Sequence, residues 1–152
     1  MKIIQNMVVR IISHPFVQRR PVIVQFVKFS LIGVINTMVS FAAYLFFTRL
    51  IKFDPLIANA LAFVIAVTIS YVLNKNWTFR DRGRITVNQY SRFFTISGIG
   101  FGLSEVIILV VHHLLDIHDF IAFTVATVIV MFWNFFANRF WTFRPTSVDL
   151  RK

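Results

Sequence analysis

The sequence predicts an all-α membrane protein with four transmembrane helices, built as two parallel two-helix repeats with both termini in the cytoplasm. Three observations lead there. The chain of 152 residues is 57% hydrophobic, more than a soluble domain with a polar surface carries. Four apolar windows, 29–48, 56–73, 93–111 and 120–138, match the ~20 helical residues that cross about 30 Å of hydrocarbon. They are too long for barrel strands and do not alternate, and unpaired backbone groups are not tolerated in lipid, so helices are expected. The third observation is the placement of charge. The formal net charge is +10, and with the amino terminus inside only Arg49 and Lys52 among the lysines and arginines fall on the outer face. This is the positive-inside pattern, and it argues against a nucleic-acid partner.

Ahead of the first window, "MVVRII" lies within residues 1–24 and "FVQRRPVIVQF" runs from there to Phe26. Charges and prolines interrupt this run too often for a signal peptide, so an amphipathic interfacial segment is expected. The first span places Gly33, Asn36, Thr37, Ser40 and Tyr44 at offsets 0, 3, 4, 7 and 11, on one helical face. Its partner, 56–73, runs back to "NKNWTFR" at 74–80. The loop "DRGRITVN", 81–88, then joins the halves.

The third span is interrupted by Gly98, Gly102 and Glu105, the only charged residue within the four windows. With one inserted residue, Gly98, Gly102 and Glu105 align with Gly33, Thr37 and Ser40, and both faces read as close-packing seams that direct Glu105 into a helix interface. At about 1.5 Å per residue, Glu105 lies roughly 18 Å inside the cytoplasmic boundary. Such a carboxylate serves either as a proton relay or cation site, or as hydrogen-bonded structural glue, and the sequence leaves both open. The outer loop "HHLLDIHD", 112–119, has adjacent histidines that diverge by about 100° on a helix, a poor ligand spacing. A solvated loop is expected there. With no cysteine, there is neither a disulfide framework nor a thiolate metal site.

The fourth span ends in "NRFWTFR" at 138–144, which repeats 74–80 after 64 positions. "QYSRF" at 89–93 likewise repeats "QFVKF" at 25–29. The chain therefore divides into repeat 1 (25–80) and repeat 2 (89–144), within a transmembrane domain of 25–145 followed by a tail of 146–152. Each repeat crosses the membrane twice, so the halves are parallel. Lys28, Lys75, Arg92 and Arg139 fall near one cytoplasmic level with Asn74 and Asn138, and Asn36 and Asn134 lie about 9 Å deeper. Cations suit a phosphate and amides suit hydroxyls, so these residues are candidates for a defined anionic headgroup site, with Ser40, Tyr44 and Glu105 continuing the route outward. Trp77, Arg80, Trp141 and Arg144 are expected to be interfacial anchors. A bundle this small predicts either a homodimer or a lipid-open groove.

The four short spans, "KFSLIGVINTMVSFAAYLFF", "NKNWTFR" and "NRFWTFR" together resemble the GtrA-like family over about residues 25–145. That resemblance implies a small bacterial inner-membrane protein of cell-surface polysaccharide synthesis. It implies movement of an undecaprenyl-phosphate-linked sugar, typically glucose, from the cytoplasmic to the periplasmic leaflet, with a membrane glycosyltransferase making the lipid-linked sugar inside. Some members of the family are regarded instead as recruiters of a glycosyltransferase, and the basic amino terminus is the candidate handle. A small proton-coupled exporter is a third reading. Catalysis is not expected, because the acids are scattered and no nucleophile has a base. The chain carries no nucleotide-binding loop, so neither ATP nor another cofactor is expected.

Overall fold

The computed structural model describes residues 21–144. Of the expected interfacial segment, residues 1–20 lie outside the described residues, as does the tail 146–152. The described chain is helical, with α1 (Pro21–Leu45), α2 (Pro55–Leu73), α3 (Val87–Ile108) and α4 (Asp119–Ala137), and each helix runs directly into a π-helical turn: Phe46–Leu50, Asn74–Thr78, Leu109–Leu114 and Asn138–Thr142. Four continuous spans result, Pro21–Leu50, Pro55–Thr78, Val87–His112 and Asp119–Thr142, each long and apolar enough to cross a membrane. The protein is therefore a multi-pass membrane protein.

Local chemistry sets the helix starts. Asp54 caps α2 by accepting the Leu56 amide at 2.8 Å, and Pro55 follows, where its missing N–H costs nothing. Thr86 caps α3 by accepting the Gln89 amide at 3.2 Å, and the Thr86–Gln89 spacing is that of a capping box. His118 caps α4, its Nδ1 accepting the Phe120 amide at 3.2 Å. The first and third helices begin at Pro21 and Val87, ahead of the apolar windows at 29 and 93; the opening of the third, VNQYSR, is too polar to register as hydrophobic, whereas that of the first, PVIVQFVK, is apolar but interrupted by Gln25 and Lys28. Residues 21–24 thus belong to α1 and not to a separate interfacial segment.

The chain forms two compact units, divided after Arg80. In the first, α1 packs along α2, and in the second, α3 packs along α4. Alanines form the buried stripes: Ala58, Ala62 and Ala66 on α2, and Ala122 and Ala126 on α4. Alanine allows close helix approach without the backbone freedom that glycine adds. Buried positions recur at a constant offset of 64: Phe29 with Phe93, Ile32 with Ile96, Tyr71 with Phe135. No inserted residue is needed in the third span, and on this register Ser40 corresponds to Ser104, not to Glu105.

The expected glycine seams are not where the helices close. A Cβ added at Gly33, Gly98 or Gly102 would meet nothing within 4 Å, whereas one at Gly100 would meet Asn134 Oδ1 at 2.8 Å. Glu105 shares the outward face of Gly98 and Gly102 and is exposed, not directed into the contact between α3 and α4. The alanine stripes already occupy the buried surface, and this leaves the glycine faces outside.

Candidate functional site

The repeated motif closes each unit in the same manner. In the first unit, Lys28 Nζ donates to the Trp77 carbonyl at 3.4 Å and lies 5.3 Å above the Trp77 ring. In the second, Arg92 donates to the Trp141 carbonyl at 3.3 Å, with its guanidinium 5.7 Å from the Trp141 ring. Phe29 meets Phe79 edge-to-face at 6.3 Å, and Phe93 meets Phe143 likewise at 6.0 Å. Both cation-to-tryptophan pairs are separated by 49 residues. A cation on an aromatic face contributes about 0.5–2 kcal/mol, depending on desolvation, and an edge-to-face pair about 0.5–1.5 kcal/mol. Each clasp thus ties the cytoplasmic end expected for one helix to that of its partner. The sequence pointed to these cations for phosphate and to the tryptophans for the interface, but it did not show that they touch. The equal spacing of cation and tryptophan in the two halves was the available signal.

The asparagines of the motif act on the helix ends. Asn74 Nδ2 donates to the Ser70 carbonyl at 2.9 Å and to Ser70 Oγ at 3.2 Å. Asn138 Nδ2 donates to the Asn134 carbonyl at 2.8 Å. Both side chains are 0% exposed. From each asparagine the ladder widens, with Phe79 N–H bonding the Asn74 carbonyl and Phe143 N–H the Asn138 carbonyl, each at 2.9 Å. These five-residue steps define the π turns and re-aim the side chains that follow.

Of the expected site residues in the first unit, Lys28, Asn74 and Lys75 lie together around the closing turn, with exposures of 6%, 0% and 2%. Asn36 is half-buried one level deeper on α1, and its Oδ1 is buried without a hydrogen-bond partner. Ser40 and Tyr44 continue along α1 and are half-buried. In the second unit, Arg92, Asn138 and Arg139 surround the equivalent turn, and Arg139 lies 6.0 Å from the Phe140 ring. Asn134 packs onto Gly100, with its Oδ1 buried and unpartnered. Trp77, Arg80, Trp141 and Arg144, the expected anchors, are exposed. Arg80 also takes a left-handed conformation, φ 52°, which stops the helix where glycine would be the usual choice. Of the histidines at 112–118, His112 Nδ1 lies 3.0 Å from the Ile117 carbonyl and His118 Nδ1 accepts the Phe120 amide, so both serve local structure.

The sequence reading missed Thr78 and Thr142. Both are buried, at 2% and 5% exposure, four residues after the motif asparagine. Thr142 Oγ1 donates to Asn138 Oδ1 at 2.8 Å, while Asn74 Oδ1 and Thr78 Oγ1 have no hydrogen-bond partner.

Residues 28–143 match the family described as GtrA/DPMS, transmembrane domain, and the match starts at Lys28 and ends at Phe143, within the two clasps. The chain belongs to the GtrA/DPMS transmembrane-domain family. Membership links it to the processing of polyprenyl-phosphate sugars in the membrane. It is also similar to an uncharacterized membrane protein of Bacillus subtilis (strain 168), YngA, with 26% identity over 125 residues, covering 82% of each chain.

Proposed function

We propose that this protein translocates a polyprenyl-phosphate-linked sugar, with undecaprenyl-phosphate glucose as the candidate substrate, from the cytoplasmic to the periplasmic leaflet of a bacterial inner membrane. The sugar would serve cell-surface polysaccharide modification. The reading is carried by the burial of the Lys28 ammonium group beside the turn that closes the first helix pair. Burying a charge is costly unless it is paired. A carbonyl at 3.4 Å and a ring face compensate Lys28 less fully than a phosphate oxygen would. Lys28 and Lys75 in the first unit, and Arg92 and Arg139 in the second, are the proposed phosphate ligands; Asn36, Ser40 and Tyr44 in the first unit, and Asn134 in the second, are the proposed polar groups for the headgroup. The lipid is carried without bond-making. A membrane glycosyltransferase that makes the lipid-linked sugar is the proposed partner, and a second copy of this chain would cover the outward face of Gly98, Gly102 and Glu105.

The test uses the full-length protein alone, reconstituted in vesicles with a phosphoprenyl glucose confined to one leaflet. Wild type is expected to equilibrate the lipid across the bilayer, and Lys28→Ala with Lys75→Ala to reduce the rate at least tenfold at unchanged expression. No movement by pure wild type, together with co-purification of a glycosyltransferase that depends on residues 1–24, would replace this reading with the adaptor one.

A further inference from the structure

The two closing turns share one frame, an asparagine followed four residues later by a threonine, yet they are completed differently. In the second unit the frame is closed on itself, because Thr142 Oγ1 donates to Asn138 Oδ1 at 2.8 Å. In the first unit the equivalent oxygens, Asn74 Oδ1 and Thr78 Oγ1, are buried without a partner, on side chains 0% and 2% exposed. Buried polar atoms almost always find partners, and each exception needs a cause. The same residues four positions apart satisfy one another in the second unit, so their identity does not force the vacancy in the first. The cations differ in burial as well: Lys28 and Lys75 are buried, whereas Arg92 and Arg139 are half-buried.

From this juxtaposition we infer that the first unit recognises the sugar, with Asn74 Oδ1 and Thr78 Oγ1 exchanging hydrogen bonds with one hydroxyl of the headgroup beside a phosphate held by Lys28, while the Asn138–Thr142 hydrogen bond of the second unit is structural. A hydroxyl is the matching chemistry, since it can donate to the amide oxygen and accept from the threonine. Thr78 is thereby a specificity-determining residue that separates a glycosylated from a bare polyprenyl phosphate. Both oxygens are closed to solvent, so the headgroup enters by movement of the turn. The cross-helix restraints on that turn include the Lys28–Trp77 bond, at 3.4 Å a long one, and a phosphate would draw Lys28 away from it. This inference rests on the translocation reading but makes a separate claim about selectivity.

The experiment measures binding of undecaprenyl phosphate and of its glucosyl derivative to the full-length protein in lipid nanodiscs, with thermal stability recorded alongside. Thr78→Val is expected to weaken the glucosylated probe by about 3- to 10-fold, the worth of one ordinary hydrogen bond. It should leave the bare phosphate unchanged, and Thr78→Ser should restore selectivity. Thr78→Val should also raise the melting temperature, because it removes a polar group that has no partner, whereas Thr142→Val should lower it without altering selectivity. An equal loss on both probes makes Thr78 structural and overturns the inference. Unchanged affinity for both probes also overturns it and leaves a buried water as the partner. If wild type holds the bare phosphate with no preference for the sugar, the selectivity claim fails while the translocation reading stands. If wild type binds neither probe, both fall.

Discussion

Gly100 and Asn134 occupy one close approach between α3 and α4, and the first unit handles the equivalent position by the opposite assignment. Sixty-four residues earlier, Asn36 stands in place of Gly100 and Ser70 in place of Asn134. Each pair thus combines one amide with one small residue, but the amide sits on the opening helix in one unit and on the closing helix in the other. The exchange leads to a sign prediction. Gly100→Ala gains about 1 kcal/mol of helix propensity but drives a methyl to 2.8 Å from Asn134 Oδ1 and 3.2 Å from its Cγ, an overlap that costs about 1–3 kcal/mol. Alone, the substitution should be neutral to destabilising. On an Asn134→Ala background, where the overlap is gone, the same change should stabilise by about 1 kcal/mol. Thermal melts of the four-member cycle measure the coupling, and additivity would refute the close contact. The hydroxyls show which polar residues were readable as site candidates. Thr37, Thr68, Thr124 and Thr127 each donate to the carbonyl four residues earlier, so they need no further partner within the spans. Asparagine satisfies its amide nitrogen in this way but keeps an oxygen to spare, so Asn36 and Asn134 could be singled out from composition. Thr78 could not, because only the geometry shows that its hydroxyl fails to close on Asn74.

At the scale of the helix, the four spans and the matched ends were legible because hydropathy and motif spacing each extend over many residues. The π turns were not, since a single widened turn is too short to shift a hydrophobic period. The third helix start was set too late for a related reason: its opening turn is held by a cap and polar side chains, and the Thr86–Gln89 spacing was the clue available. The closing asparagines have unequal structural burdens. Asn138 donates to the Asn134 carbonyl and also accepts the Thr142 hydroxyl, so Asn138→Ala loses a bond of ~1 kcal/mol and strands a buried hydroxyl at a further cost of about 1–3 kcal/mol. Asn74→Ala loses the bonds to Ser70 but also removes an oxygen that had no partner. Asn138→Ala should therefore lower the melting temperature more than Asn74→Ala does. Equal shifts would mean that Thr142 finds another acceptor and that the two turns are equivalent. Charge reversal at the clasps offers a second check at this scale: Arg92→Glu turns an attractive ring contact repulsive, and it should loosen the α3–α4 end to hydrogen exchange while α1–α2 is unaffected.

For the whole molecule, the decisive property is which side of the membrane receives the two clasps, because that fixes the leaflet from which a headgroup would be loaded. Among the described residues four helices are long and apolar enough to cross, but a backbone carries no mark of inside or outside. The direction is legible only in the charge distribution. Arg49 and Lys52 sit at one end of the first helix pair, and Lys28, Lys75 and Arg80 at the other. In the second unit Asp116 lies in the loop that follows the Leu109–Leu114 turn and Asp119 opens α4, at the end of the helix pair opposite Arg82, Arg84, Arg92, Arg139 and Arg144. Basic residues close to span ends are retained in the cytoplasm, so the clasps should face inward, and a lipid made inside would meet them first. The chain has no cysteine, and single cysteines can therefore report topology without a background. A cysteine at Gly83, in the loop ahead of α3, should resist a membrane-impermeant maleimide in intact cells and react once the membrane is opened. Cysteines at Lys52 and at Asp116 should react in intact cells. The reverse pattern would place the buried Lys28 ammonium group on the periplasmic side, and transport would then have to run from that leaflet inward. Labelling of all three sites from outside would point to a mixed, dual orientation. In that case Lys52→Glu, which steepens the charge asymmetry in favour of an inward clasp, should shift the population towards Gly83 protection.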